Sequence, residues 1–188
     1  MYKPTVIPQI ERKIEGERLF EGKVLALDKD VVALENGESA YREVIRHKGA
    51  VCVIPLDREE NVILVSQYRY AVGQTMIEIP AGKLDYIDEI PEEAARRELK
   101  EETGYSARRL LPLGIYYGSP AILDEKIYMF AALDLEEGET HLDQGEYLSC
   151  FKMPLTEAVQ KVLAGEFPDG KTQSAVLRLY QMKQMGHC

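Results

Sequence analysis

A chain of 188 residues with 45% hydrophobic and 29% charged side chains has the length and balance of one globular domain, or of one domain with a small addition. Its formal charge of −9 argues against a nucleic-acid partner, and an anionic substrate would be repelled unless a cation stood between the two. No apolar run approaches a membrane span, the N-terminus lacks the apolar core of a signal peptide, and Cys52, Cys150 and Cys188 are odd in number and without ligand spacing. The expectation is a cytoplasmic protein with no membrane partner and no assigned role for its cysteines.

Residues 10–47 read as short strands, at 18–26, 30–34 and 40–46, with Asn36-Gly37 as a two-residue hairpin signal. So small a sheet is not stable alone in water and needs a surface to pack on, either the rest of the chain or a second subunit. Residues 1–47 are therefore expected to form an N-terminal β region used in dimerisation, and residues 48–188 the main domain. The apolar runs 49–55 and 61–67, joined by Asp57-Arg58-Glu59-Glu60, read as one core hairpin. Tyr68 and Tyr70 extend its second strand and are expected to pack in the core. Further strands are read at 75–79, 110–117, 126–133 and 148–153. Residues 154–163 look helical, with Leu155, Val159, Val162 and Leu163 on the apolar side, and Asp169 caps a last helix carrying Ala175, Val176, Leu179 and Met182. His47 and His141 read as structural, and His187 falls in a disordered tail. The order of elements implies an α+β fold, a mixed sheet with helices on its faces.

The informative stretch runs from Gly82 to Tyr105. Pro91 suits a first helical position, Glu92 and Glu93 favour the positive end of the helix dipole, and Gly104 supplies a left-handed stop. Ala95 and Leu99 form an inward stripe. Glu98, Glu101 and Glu102 share another face, where like charges repel. Carboxylate oxygens are hard ligands suited to Mg²⁺, and two or three such ions can clamp a pyrophosphate, activate water and neutralise a leaving oxygen. The plainer alternative is a solvated charged face with Glu93 and Arg97 as a helix pair.

Gly82, Glu89 and the run Arg97-Glu98-Leu99-Lys100-Glu101-Glu102-Thr103-Gly104 resemble the Nudix box. One departure is visible: six residues, 83–88, separate the glycine from Glu89 where the usual pattern has five, so Glu89 or Asp88 fills the first acidic position. The likeness extends to His47-Lys48-Gly49-Ala50-Val51, Gln67-Tyr68-Arg69-Tyr70, Glu78-Ile79-Pro80-Ala81, Ser119-Pro120, Asp124-Glu125-Lys126 and Asp169-Gly170-Lys171-Thr172, which are similar to bacterial ADP-ribose pyrophosphatases. That resemblance implies an α/β/α sandwich and hydrolysis of ADP-ribose to AMP and ribose 5-phosphate with Mg²⁺, or Mn²⁺ in its place. It implies Ala81 (through its carbonyl), Glu98 and Glu102 as metal ligands with Glu101 nearby, and Arg97 holding the loop through Glu89. It also implies substrate contacts from Arg69 and Glu78, and from Arg46 or Arg42. The water-activating base is expected on a mobile loop at 134–146, with Glu146 first, Glu139 second and Glu101 as the fallback. Rival readings are hydrolysis of another nucleoside-diphosphate sugar such as GDP-mannose, a non-catalytic ADP-ribose sensor, and removal of oxidised nucleoside triphosphates. The intact glutamates and acidic chain argue against the sensor.

Overall fold

Asn36 and Gly37 turn the chain back on itself in the computed structural model. Gly37 takes φ 85° and the Leu34 N–H donates to the Glu38 carbonyl at 2.8 Å. The structure describes residues 10–142, 145 and 147–187. These fall into two units, Met1–His47 with Ser119–Glu125, and Lys48–Gly118 with Lys126–Cys188.

The first unit is an antiparallel sheet of β1 (Arg12–Glu21), β2 (Ala26–Ala33) and β3 (Ser39–Arg46), in that order. β1 begins six residues earlier than the sequence suggests, at Arg12 rather than at residue 18. The reason is that all of β1 is exposed, so it carries no inward–outward alternation to read. β2 does alternate, but two of its buried positions are Asp28 and Asp30. Cations make that possible: Arg46 reaches Asp28 at 3.0 Å, Asp30 at 2.8 Å and Asp124 at 3.3 Å, Lys13 meets Asp30 at 2.6 Å, and Arg18 bonds Asp28. Residues 119–125 join this unit through Ile45 N–H to Ile122 and Asp124 N–H to Ile45, at 2.7 and 3.1 Å.

The second unit carries β4 (Ala50–Pro55), β5 (Asn61–Arg69), β6 (Gln74–Glu78), β7 (Ala81–Lys83), α1 (Pro91–Thr103), β8 (Ser106–Tyr116), β9 (Ile127–Glu136), β10 (Leu148–Pro154), α2 (Leu155–Leu163) and α3 (Gly170–Gln184). A mixed sheet runs β7-β4-β9-β8, with β4 and β9 parallel, and a second sheet runs β10-β5-β6. β4 is buried along its whole length, so both its faces are covered. Val51 and Val53, with Phe130 and Ala132 of β9, pack on Ala94, Ala95 and Leu99 of α1. Cys52 and Ile54, with Met129 and Ala131, pack toward Ala158 and Val159 of α2 and Ala175, Val176 and Leu179 of α3. Helix, sheet and helices thus form the expected α+β layers.

Four local expectations are corrected in this unit. The runs 49–55 and 61–67 do not pair as a hairpin; a single bridge joins Leu56 to Val62, and the strands then enter different sheets. β4 already has β7 on one edge and β9 on the other, which leaves no edge for β5. Tyr68 and Tyr70 are not core residues, being 59% and 91% exposed: Tyr68 stands at an exposed position near the end of β5, and Tyr70 opens a 3₁₀ turn, Tyr70–Val72, that ends on Gly73 at φ 66°. On α2 the inward side is completed by Ala158, while Leu163 is 74% exposed at the last turn. His187 is held by an N–H bond to the Met182 carbonyl.

Candidate active site

α1 has the ends that its residues dictate: Pro91 at the first turn, and Gly104 in the left-handed region at φ 76° with its N–H on the Lys100 carbonyl. Glu98 and Glu102 lie one turn apart beside the buried Ala95–Leu99 stripe, so they are buried too, 9% and 2% exposed. Glu101 is half-buried, and Asp88 is exposed while Glu89 is buried. The Glu93–Arg97 pair of the plainer reading does not form; Arg97 turns instead to Glu101, at 3.2 Å.

The short strand β7 faces these carboxylates. Val53 N–H bonds the Pro80 carbonyl and Leu84 N–H the Gly49 carbonyl, so Ala81, opposite Cys52, sits at a non-hydrogen-bonded position of the ladder. Its N–H and C=O therefore point away from β4, and the N–H donates to Glu102 Oε2 at 3.0 Å. Next to it, a Cβ on Gly82 would lie 2.0 Å from the Glu98 carboxylate, so only glycine permits this approach.

Arg97 gathers the loop between β7 and α1. Its guanidinium donates to Glu98 Oε1 at 2.7 Å, to the Lys83 carbonyl at 3.3 Å and to Glu89 Oε1 at 3.4 Å, and lies 3.6 Å from Asp85. Glu89 accepts in turn from the Asp85 N–H at 2.7 Å. Glu89, not Asp88, thus takes the acidic place, and the extra loop residue is accommodated in the exposed stretch 85–88. Burial works against charge on Arg97, but Glu98, Asp85 and Glu89 outweigh it and hold its pKa above the usual value.

Arg69 and Glu78 meet each other. Arg69 grips the fully buried Glu78 with two N–H donors, at 2.7 and 2.8 Å, and Lys171 of α3 bonds the same carboxylate. Burial pushes the Glu78 carboxyl up, yet Arg69 and Lys171 prevail and hold it below the usual value. Lys171 also reaches Asp169 at 3.0 Å. Sequence reasoning took Asp169 only as a helix cap and missed Lys171 and Thr172. Their signal was the four-residue motif at 169–172, whose partners lie too far along the chain to be read from spacing.

Arg46 and Arg42 belong to the first unit, where Arg46 is engaged by three aspartates and Arg42 by Glu11. Glu139 is exposed, in a segment tied to α1 by a 3.0 Å bond from the His141 N–H to the Glu101 carbonyl. Glu146 lies outside the described residues.

The donor set suits a hard divalent cation: two buried carboxylates one turn apart, a third beside them, and a strand carbonyl turned to the same side. Among the described residues no three acidic, histidine or cysteine side chains converge to hold a metal, since Glu98 is drawn to Arg97 and Glu102 to Ala81.

The sequence model of the NUDIX domain matches residues 46–173. The chain belongs to the Nudix family. A Bacillus subtilis protein named ADP-ribose pyrophosphatase is 39% identical over 93% of this chain and 94% of its own. A Bacillus methanolicus protein named methanol dehydrogenase activator is 37% identical over 94% and 96%. The fold is shared with a crystal structure of an ADP compounds hydrolase at a TM-score of 0.80, with 22% identity and coverage of 99% and 100% of the two chains. That the core of this Nudix chain is an α+β sandwich thus agrees with its sequence pattern.

Proposed function

We propose that this Nudix protein is an ADP-ribose pyrophosphatase, hydrolysing the pyrophosphate bond of ADP-ribose to AMP and ribose 5-phosphate with a divalent cation, Mg²⁺ in the first place and Mn²⁺ as a substitute. The observation that carries the reading is the juxtaposition of Glu98 and Glu102 with the Gly82–Ala81 edge of β7, in a chain so similar over its length to a protein of that name.

Glu98, Glu102 and the carbonyl of Ala81 would hold the cation. When bound, it neutralises charge on the diphosphate and lowers the pKa of water. The chain's own residues do the rest. Arg97 keeps the loop before α1 folded against the glutamates. Arg69, oriented by Glu78 and 37% exposed at its side chain, presents a fork-shaped cation to an anionic substrate. Arg46, bound by three carboxylates, fits a structural pin of the first unit better than the substrate contact expected of it. A glutamate of the segment after β9 takes the proton from the attacking water: Glu146 first, then Glu139, with Glu101 as the remaining candidate. The functional unit is a homodimer built with the N-terminal β region, a cytoplasmic enzyme without nucleic-acid or membrane partners. Among the described residues no helix is long and apolar enough to cross a membrane.

A panel of nucleoside-diphosphate-linked substrates with Mg²⁺, with products separated by chromatography, tests the reading. ADP-ribose should be turned over with the highest kcat/KM. Preference for GDP-mannose would move the substrate within the same class, and binding of ADP-ribose without turnover would make the protein a sensor.

A further inference from the structure

Between β6 and β7 the chain passes from one sheet to the other through Ile79 and Pro80. Pro80 has no N–H, so the amide of Ile79 is the one donor of this crossing. Ile79 is fully buried, and an unpaired amide there would have no water to turn to. Its partner comes from 93 residues away: the N–H donates to Oγ1 of Thr172 at 3.0 Å. Thr172 is itself fully buried, in the first turn of α3. Its hydroxyl donates to Asp169 Oδ2 at 2.6 Å, and its backbone N–H donates to the same oxygen at 2.9 Å. The helix cap therefore directs the hydroxyl proton to Asp169, and this leaves an oxygen lone pair for Ile79.

The crossing is pinned on a second side by β4, where Val53 N–H donates to the Pro80 carbonyl at 2.9 Å. Ala81 follows at once, its N–H on Glu102 and its carbonyl turned to that side. Lys171, adjacent to Thr172, holds Glu78, the residue before Ile79. The first turn of α3 thus grips residues 78 and 79 by a side chain and a main-chain amide.

We infer that Thr172 is a positioning residue for the metal-binding edge, acting through the backbone of residues 79–81 on the carbonyl of Ala81. This rests on the reading of Ala81, Glu98 and Glu102 as the cation's ligands. The hydroxyl must donate and accept at once, which serine reproduces and valine cannot. Partners in the outer shell of a metal site typically alter affinity by about 10–100-fold when removed.

The test measures Mn²⁺ binding to the full chain without substrate, by the electron paramagnetic resonance signal of the free ion, alongside thermal unfolding. Thr172→Val should weaken Mn²⁺ binding about tenfold or more, while Thr172→Ser stays within about twofold of the unaltered protein. Val176→Ala, at a fully buried α3 position outside the chain of bonds, should lower Tm and leave Mn²⁺ affinity within about twofold. Should the valine variant not fold, Thr172→Ala removes the hydroxyl without adding a methyl and is read in the same way. Unchanged Mn²⁺ affinity in the hydroxyl-less variant, or an equal loss in Val176→Ala, overturns the inference. An unaltered protein that binds Mn²⁺ but hydrolyses no diphosphate in the panel removes the proposed activity and leaves this inference standing.

Discussion

The N–H of His141 donates to the carbonyl of Glu101 at 3.0 Å, which fastens the segment after β9 to the last turn of the glutamate helix. Gly104 makes the approach possible. It holds φ 76°, and a Cβ on it would lie 2.6 Å from the Gly138 carbonyl. Tyr105 adds a hydroxyl bond to Glu137 at 2.9 Å. Gly104→Ala should therefore lose about 1–3 kcal/mol of stability from the backbone conformation alone, with a further loss from the displaced loop. Denaturant unfolding measures the total loss, and kcat relative to the unaltered enzyme shows whether the displaced loop also affects turnover. Unchanged stability would show that the turn can be rebuilt without a left-handed residue.

Glu98 and Glu102 are predicted to be separately indispensable. Changing either to Gln keeps shape and removes a charge. Metal-dependent kcat should fall at least about a hundredfold, the order expected when a preorganised electrostatic contact is lost. Circular dichroism should show an intact fold. Full activity of Glu98→Gln at saturating Mg²⁺ would sink the ligand assignment.

The base is predicted to be Glu146. Glu146→Gln should lower kcat by about 10²–10⁴-fold with little change in substrate or Mg²⁺ affinity, and higher pH should partly restore the rate as hydroxide replaces the base. Glu139→Gln is the comparison. If it alone loses activity, the role moves to Glu139, and if neither variant does, Glu101 remains.

Glu78 should mark the acid limb of stability. Its carboxyl lies below the ordinary value of 4.5 in the folded chain, held there by Arg69 and Lys171 against its burial. The stability contributed by its ionised form is complete above 4.5 and is lost as pH falls through the lowered folded value. Unfolding free energy measured across that range should decline less steeply in Glu78→Gln than in the unaltered chain. Equal slopes would mean the charge is not coupled to folding.

Sedimentation at micromolar concentration should return twice 21.3 kDa. The motive is β1, exposed along its whole length, with Ile14, Leu19 and Phe20 each about half-exposed at 59%, 49% and 56%. Phe20→Glu should shift the protein toward monomer. A fully active monomer of the unaltered chain would remove the dimer from the mechanism.

The limits of α1, the burial side of Ala95 and Leu99, and the grouping of Glu98, Glu101 and Glu102 were legible in the sequence because they depend on residues within a turn of one another. So was a hairpin at Asn36-Gly37, although its loop is three residues, 35–37, closed by Leu34 and Glu38, and not two; and so was Asp169 as a cap, for it accepts from the Thr172 N–H three residues on. Tertiary structure decided the rest. β4 and β5 look alike as apolar runs, and only the occupancy of β4's two edges sends β5 to another sheet. That a buried Glu78 orients Arg69, and that three aspartates hold Arg46, shows only in the fold. Thr172 carries no local sign of its bond to Ile79, 93 residues earlier. Local sequence sets capping and periodicity, but a buried polar group is satisfied by whatever the packed layers bring to it, and spacing along the chain does not encode that neighbour.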